Sequence, residues 1–405
     1  MNLRFSRWAV AVFSCCVLLF SRSSQAATYY VWTNSPAIGP GTNWATAFHD
    51  IQSAVISASN AGDLVIVMDG VYATSTTVAA GSSSLNRIVA TNAITIQSVN
   101  GPAVTTIVGQ GPMGVTGVRC AHLENGAALS GFTLTGGFAA YDFGDPYRDQ
   151  SGGGAYSSGA VISNCVITGN TTRFFGGGVY GGTIVDSIIE GNNAGAGGGC
   201  HGCVVNRCDI RGNTADDGSG SSRGGGVSGS TVTDSTIRGN VTWYGSGAES
   251  SSLNRCLVVG NSAIKMGGGM RYGSAENCVI ISNSAPWGGG GAISAWLSNC
   301  VVLCNSAVGT EGGGGGAKNS ALINCLVAGN VTSQNIPGGG LCGGRAENCT
   351  IVGNSVSSHF YPGVGAGTYN TSNRNCIVYF NTGGTNVSGG FCDHTCTTPD
   401  PGGTG

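Results

Sequence analysis

Lysine is almost missing from this chain: Lys265 and Lys318 are the two in 405 residues. With no basic run anywhere, the electrostatic footprint of a nucleic-acid binder is lacking. Charged residues of both signs reach only 9%, against about a quarter in an ordinary soluble domain. Beyond Phe20 no apolar run is long enough to cross a bilayer core about 30 Å thick. No three-residue glycine period occurs, which excludes collagen. What the chain has in excess is glycine, 73 residues gathered largely in short runs, in a sequence still 41% hydrophobic. Such a chain can build a core, so it is neither a disordered polar tract nor a flexible linker.

The first 26 residues read as a signal peptide. Arg4 and Arg7 precede the apolar stretch from Trp8 to Phe20, and Ser24-Gln25-Ala26 offers the small residues a signal peptidase reads. Cleavage after Ala26 removes three arginines and no acid, which takes the formal net charge from −2 to −5. The mature protein is then expected to be secreted or held at a cell surface, with no transmembrane segment. Of 17 cysteines, Cys15 and Cys16 leave with the leader, and the remaining fifteen cannot all pair within the chain.

Those cysteines follow a repeat. From Asn164 a seven-residue phrase recurs ten times, beginning NCVITGN and DSIIEGN and closing at asparagines 170, 192, 213, 240, 261, 283, 305, 330, 354 and 381. The closing asparagines are 21 to 27 residues apart, and most phrases are separated by a glycine run such as GGGVY (Gly176 to Tyr180). A period in this range with short strands and turn residues marks a solenoid. Period-2 alternation points the second, fourth and sixth residues of the phrase inward. The second is Cys or Ser in every copy, and the fourth is always Ile or Val, from Ile167 to Val378. A stacked β-branched column is what a buried parallel sheet needs. The cysteines then form a column of buried thiols rather than bridges, because parallel Cβ vectors about 4.8 Å apart suit stacking. The closing asparagine is expected to take the left-handed backbone of a turn.

These features predict an all-β fold, a solenoid of about 12 coils, each rising about 4.8 Å. Trp44 to Ser57 carries Phe48, Ile51, Ala54 and Val55 at helical spacing, a capping helix for the N-terminal sheet end. The expected divisions are a leader (1–26), a cap and first strand (27–80), the solenoid (81–396) and a tail (397–405). The capped start and the glycine–asparagine coils resemble pectin-lyase-like proteins, which implies a right-handed, single-stranded parallel β-helix. The phrases GGGV or GGAI followed by [IV]xGN resemble repeats of chlamydial polymorphic outer membrane proteins and related bacterial surface proteins. The likeness covers residues 28 to 396, without the β-barrel translocator of the polymorphic proteins. The tail resembles a segment that precedes further strands in such proteins, so the chain reads as one that stops early.

The resemblance implies one of two functions. A surface protein of this kind implies a structural or adhesion-type scaffold that binds a polysaccharide or another surface protein. A pectin-lyase-like enzyme implies a polysaccharide lyase or glycoside hydrolase, with clustered acids beside a basic residue. Fold does not decide between them. The outward acids are few: Asp186, Arg207, Asp234 and Arg255 alternate in sign over four coils, as a surface ion-pair ladder does. The best acid cluster is an insertion holding Asp142, Asp145, Arg148 and Asp149. It is the weak catalytic candidate and has carboxylates enough for calcium, but its spacing matches no calcium loop, and a solvated loop is the preferred reading. No cofactor or other metal motif is present; Cys200-His201-Gly202-Cys203 and the Cys392–Cys396 segment read as local thiols.

Two surface features remain. Phe174, Phe175, Trp243, Tyr244, Trp287, Phe360 and Tyr361 all follow closing asparagines, so they fall in one loop of the coil and could line a ligand-binding edge. The outward phrase positions are polar over four coils and then turn aliphatic: Leu257, Val259, Val279, Ile281, Val301, Leu303, Leu326, Ile377 and Tyr379. An apolar face of that length predicts a contact surface, with self-association as one outcome.

Overall fold

The computed structural model describes residues 26–139, 147–309, 312–333, 336–357 and 365–398. The architecture is a parallel β-helix. One sheet stacks fourteen strands in sequence order, all parallel: three upstream strands, the ten phrases, and a last strand at Cys396–Thr397. The upstream strands Gly70–Tyr72 and Thr105–Val108 belong to it. A second sheet of 25 strands carries the segment between each glycine run and the next phrase, and two small sheets follow the closing asparagines.

The phrase register explains the sequence pattern. Ile167, Ile189, Ile210, Ile237 and Val258 are successive Cα partners, and each is fully buried. The second-position column is buried too. Its thiols are free, and they donate to nearby carbonyls, as Cys256 Sγ does to Val232 O at 3.4 Å. Burial pushes the Cys165 thiol up to about 11 and that of Cys208 to about 12, so these are inert packing groups.

The sixth position departs from the alternation expected of it. Gly169, Gly191, Gly212, Gly239 and Gly260 have φ between 57° and 64°, and this left-handed turn faces them outward instead of inward. It rotates the seventh residue into the core. The closing asparagines are therefore not the left-handed residues; that conformation also falls on the first position, φ 49–54° from Asn164 to Asn375. Asn170, Asn213, Asn240, Asn261, Asn305, Asn330 and Asn354 are fully buried. Their amides form a continuous ladder, each Nδ2 donating to the Oδ1 one coil further at 2.9–3.1 Å. Each Oδ1 also accepts the backbone N–H of the preceding asparagine, as Asn283 does from Asn261 at 2.9 Å. A buried polar column of this kind is tolerated because every member has its partners.

The N-terminal helix is shorter than the sequence pattern suggests. Trp44–Thr46 is a single 3-10 turn, and the α-helix spans Ile51–Ser57. Asp50 ends the irregular link by accepting the Ser53 N–H at 2.9 Å, an N-cap that starts the helix at residue 51. Ile51, Ala54 and Val55 are buried in the main core cluster, and the helix packs on the first strands of the second sheet.

Candidate functional site

Each glycine run ends at a fixed place on the rod, and the second residue beyond it points outward. In register along successive coils these residues are Tyr156, Tyr180, His201, Ser228, Glu249, Arg271, Ile293 and Lys318, and His122 is the Cα partner of Tyr156 one coil before them. A second column runs beside it in the loops after the closing asparagines: Phe175, Ala196, Arg223, Tyr244 and Met266. Together they make one edge of the rod. At its N-terminal part the rings stack face to face: His122 on Tyr156 at 4.8 Å, Tyr156 on Tyr180 at 5.6 Å, Tyr180 on His201 at 5.7 Å. Phe175 closes over His201 at 4.6 Å. Burial holds His201 down to about 4, so its imidazole is neutral at physiological pH.

Next to this stack lies a cavity of about 250 Å³ lined by Arg173, Phe174, Phe175, Asp217 and Arg223 among others. The Asp217 carboxylate is already engaged by the Ser219 N–H at 2.9 Å and the Ser222 hydroxyl at 2.8 Å. Further along, Arg271 holds the buried Glu249 with two hydrogen bonds of 2.9 Å each. Burial pushes Glu249 up from the usual carboxylate range, while Arg271 and Arg223 pull against it. Tyr244 lies over the Arg271 guanidinium at 4.5 Å.

The centre of the edge is Lys265. Its ammonium stands 5.1 Å from the Trp243 ring, 5.2 Å from Tyr244 and 5.1 Å from Trp287. Lys318 donates to the Trp287 carbonyl at 3.3 Å. The two lysines of the whole chain thus both reach Trp287. The loop aromatics were legible in the sequence; Lys265, Arg223, Tyr180, His201 and the Glu249–Arg271 pair were not singled out. The signal was there, since GGGVY, GGGCH, GSGAE, GGGMR and GGGAK place each outward residue at a constant offset from its glycines.

Phe360 and Tyr361, and the acids Asp142 and Asp145, lie outside the described residues. Asp149 is buried, and its carboxylate accepts from the hydroxyls of Ser82 at 2.5 Å and Ser83 at 3.1 Å. It pins the insertion to the preceding coil and is not free for acid–base work. Arg148 donates to Ala80 O at 2.9 Å and Glu124 Oε1 at 3.2 Å. Among the described residues no group of three or more His, Cys, Asp or Glu side chains is placed to hold a metal ion. No helix there is long and apolar enough to cross a membrane.

On the phrase sheet the ion-pair ladder is present. Arg207 grips Asp186 at 2.7 and 2.8 Å, and Arg255 grips Asp234 at 2.6 and 2.7 Å. Exposed pairs of this kind contribute little. Asp186→Ala is therefore expected to leave the urea midpoint of unfolding unchanged. A trough of about 650 Å³ beside Glu190, Arg211 and Arg238 is larger than the edge cavity, but its charges already neutralise one another: Arg211 binds Glu190 and Asp209, and Arg238 binds Asp209. The aliphatic positions stack in two columns, Leu257–Val279–Val301–Leu326 and Val259–Ile281–Leu303. Leu257, Val279, Leu326 and Ile377 are exposed, from 36% to 50%.

No protein-family model matches the chain, and no curated protein does. Solved structures similar to it include pectate lyase Pel9A, at 15% identity over 93% of this chain and 78% of that one, TM-score 0.36. The A-module of the mannuronan C-5 epimerase AlgE4 of Azotobacter vinelandii is similar at 14% identity over 92% of this chain and 98% of that one, TM-score 0.34. The Dettilon tailspike protein is similar at 11% identity over 90% of this chain and 68% of that one, TM-score 0.40.

Proposed function

We propose that the protein is an exported β-helix that binds a linear acidic polysaccharide along the edge from Phe174 to Lys318. The observation that carries this reading is Lys265 set among Trp243, Tyr244 and Trp287. Partly exposed rings offer flat apolar faces to sugar rings, and a cation held over them adds an attraction for acidic groups. Charge points the same way. Among the described residues of this edge Arg173, Arg223, Lys265, Arg271 and Lys318 give five positive charges, against Asp216, Asp217 and Glu249, for a net of +2. The chain without its leader carries −5, so the edge is a local exception that draws anions to it. Export rests on the leader-like residues 1–26, and a surface scaffold that holds glycan fits both.

The test is affinity for uronate polymers and for neutral polymers of matched length. Lys265→Ala is expected to weaken binding to the acidic polymer about tenfold, equivalent to ~1.4 kcal/mol. Binding to neutral polymer is expected to be much weaker than to acidic polymer at low salt. Equal binding of both, untouched by the substitution, would remove the basis of this reading. A second reading, cleavage of the bound polymer, draws on the row Tyr180, His201, Ser228, Glu249 and Arg271, which puts a neutral imidazole and a carboxylate on nearby coils. Release of new reducing ends or unsaturated products, lost in His201→Ala, would establish it over simple binding.

A further inference from the structure

We propose that the strand Val118–Glu124 holds a binding site for a single carboxylate group beside the Tyr156 ring, where the Arg119 guanidinium lies 5.8 Å from the ring centre and His122 stacks at 4.8 Å, with Arg119 as its cation and His122 as an adjoining hydrogen-bond acceptor. The contrast between two buried arginines carries this. Arg87 is 4% exposed, and all three of its nitrogens are satisfied: Nε by Val108 O at 2.7 Å, Nη1 by Ser75 O at 2.9 Å, and Nη2 by Gln110 Oε1 at 3.3 Å. It is a structural arginine. Arg119 has no exposure at all. Among the described residues only its Nη2 has an acceptor, Arg148 O at 2.5 Å, while Nε and Nη1 have none. The nearby Asp149 carboxylate is taken up by the serines of the preceding coil.

A guanidinium buried with two unmatched donors is costly, since its hydration is lost and not replaced. The cost falls if an oxyanion occupies the place. The surroundings set what kind. His122 is fully buried and stacked on Tyr156, and its Nε2 faces Glu124 Oε1 at 2.7 Å. Nε2 therefore carries the proton, and burial lowers the imidazole's affinity for a second one. That leaves Nδ1 as an unpartnered acceptor. Asn86, the Cα partner of Arg119 on the preceding coil, has an unpartnered Oδ1. Two donors of one cation beside two neutral acceptors suit one carboxylate with a hydroxyl near it, and they are too few donors for a doubly charged phosphate. The stack His122–Tyr156–Tyr180–His201 leads from this place to the proposed polysaccharide edge, but the inference stands without that edge.

The experiment is thermal unfolding of the full chain at pH 7 and fixed ionic strength, with chloride exchanged for acetate, for a galacturonate trimer or for a neutral galactose trimer. A carboxylate is expected to raise Tm by a few degrees and to saturate. If acetate suffices, the site takes free carboxylates; if only the acidic trimer acts, the carboxylate is sugar-borne. Equal Tm in chloride, acetate and both trimers overturns the proposal, and so does a neutral trimer that matches the acidic one. Arg119→Met is expected to abolish the shift. Without ligand it should melt above the parent, whereas Arg87→Met should melt below it. A shift that survives Arg119→Met when the edge is weakened by Lys265→Ala in the same chain, or an unliganded Arg119→Met that melts below the parent, overturns the site. If that variant does not fold, the comparison of chloride, acetate and the two trimers on the parent and on Lys265→Ala decides alone.

Discussion

Replacing Asn283 by Ala is expected to destabilise the fold by about 3–6 kcal/mol, more than most core truncations. Its side chain has no apolar role to lose; the cost comes from partners left behind. The Asn261 N–H and Nδ2 both donate to Asn283 Oδ1 at 2.9 Å, and Asn283 Nδ2 donates to Val258 O at 2.9 Å. Alanine strands these three buried groups, at about 1–3 kcal/mol each. The neighbouring Ile280→Ala removes only packing and should cost about 2–5 kcal/mol. Asn299, an exposed asparagine one coil on, is the control: water replaces its partners, and its φ of 52° leaves Asn299→Ala only about 1–2 kcal/mol of left-handed strain. Urea unfolding of the three variants checks the order. An Asn283→Ala loss no larger than that of Asn299→Ala would mean that the ladder is ornamental.

The second large effect is steric. Gly290 is the third of the four glycines Gly288 to Gly291, and a methyl group there would overlap the carbonyl oxygen of Ser306 and stand 2.6 Å from that of Gly315. Both obstacles are backbone of the next coil, so no rotamer change relieves them. Gly290→Ala is expected to cost about 3 kcal/mol or more, at or beyond the usual range for overpacking. Gly239 gives the contrast. Its φ is 59° and a Cβ there meets nothing within 4 Å, so Gly239→Ala should cost only about 1–2 kcal/mol of left-handed strain. Soluble yield and thermal unfolding report the difference. Equal tolerance at both positions would contradict the close approach of the coils.

These two positions also show what the sequence could and could not tell. The phrase strand was legible because Cys or Ser and Ile or Val keep strict alternation over ten copies. The alternation fails where a left-handed residue enters: Gly169 and its equivalents turn outward, and Asn170 and its equivalents turn in. Period-2 reading cannot see that flip, although an asparagine at an invariant place is what a buried amide ladder requires. Three sequons, at Asn170, Asn240 and Asn330, are consumed by the ladder and are closed to glycans in the folded chain. At the edge, the aromatic loops were legible from their place after the asparagines. Lys265 was not, because its meaning comes from rings one coil before and one coil after it. Arg119 looked like any strand residue. Only register, which brings Asn86, Arg119 and Tyr156 to adjoining coils, reveals that two of its donors have no acceptor among the described residues.

The most direct test of the edge as the glycan-binding surface is amide hydrogen exchange with and without a saturating uronate oligomer. Slower exchange is expected in the loops holding Arg173 to Phe175, Arg223, Trp243 to Tyr244, and Lys265 to Trp287, with the phrase strands from Asp186 to Tyr379 unchanged. Protection confined to the trough beside Glu190, Arg211 and Arg238, or no protection anywhere at saturating ligand, would contradict it.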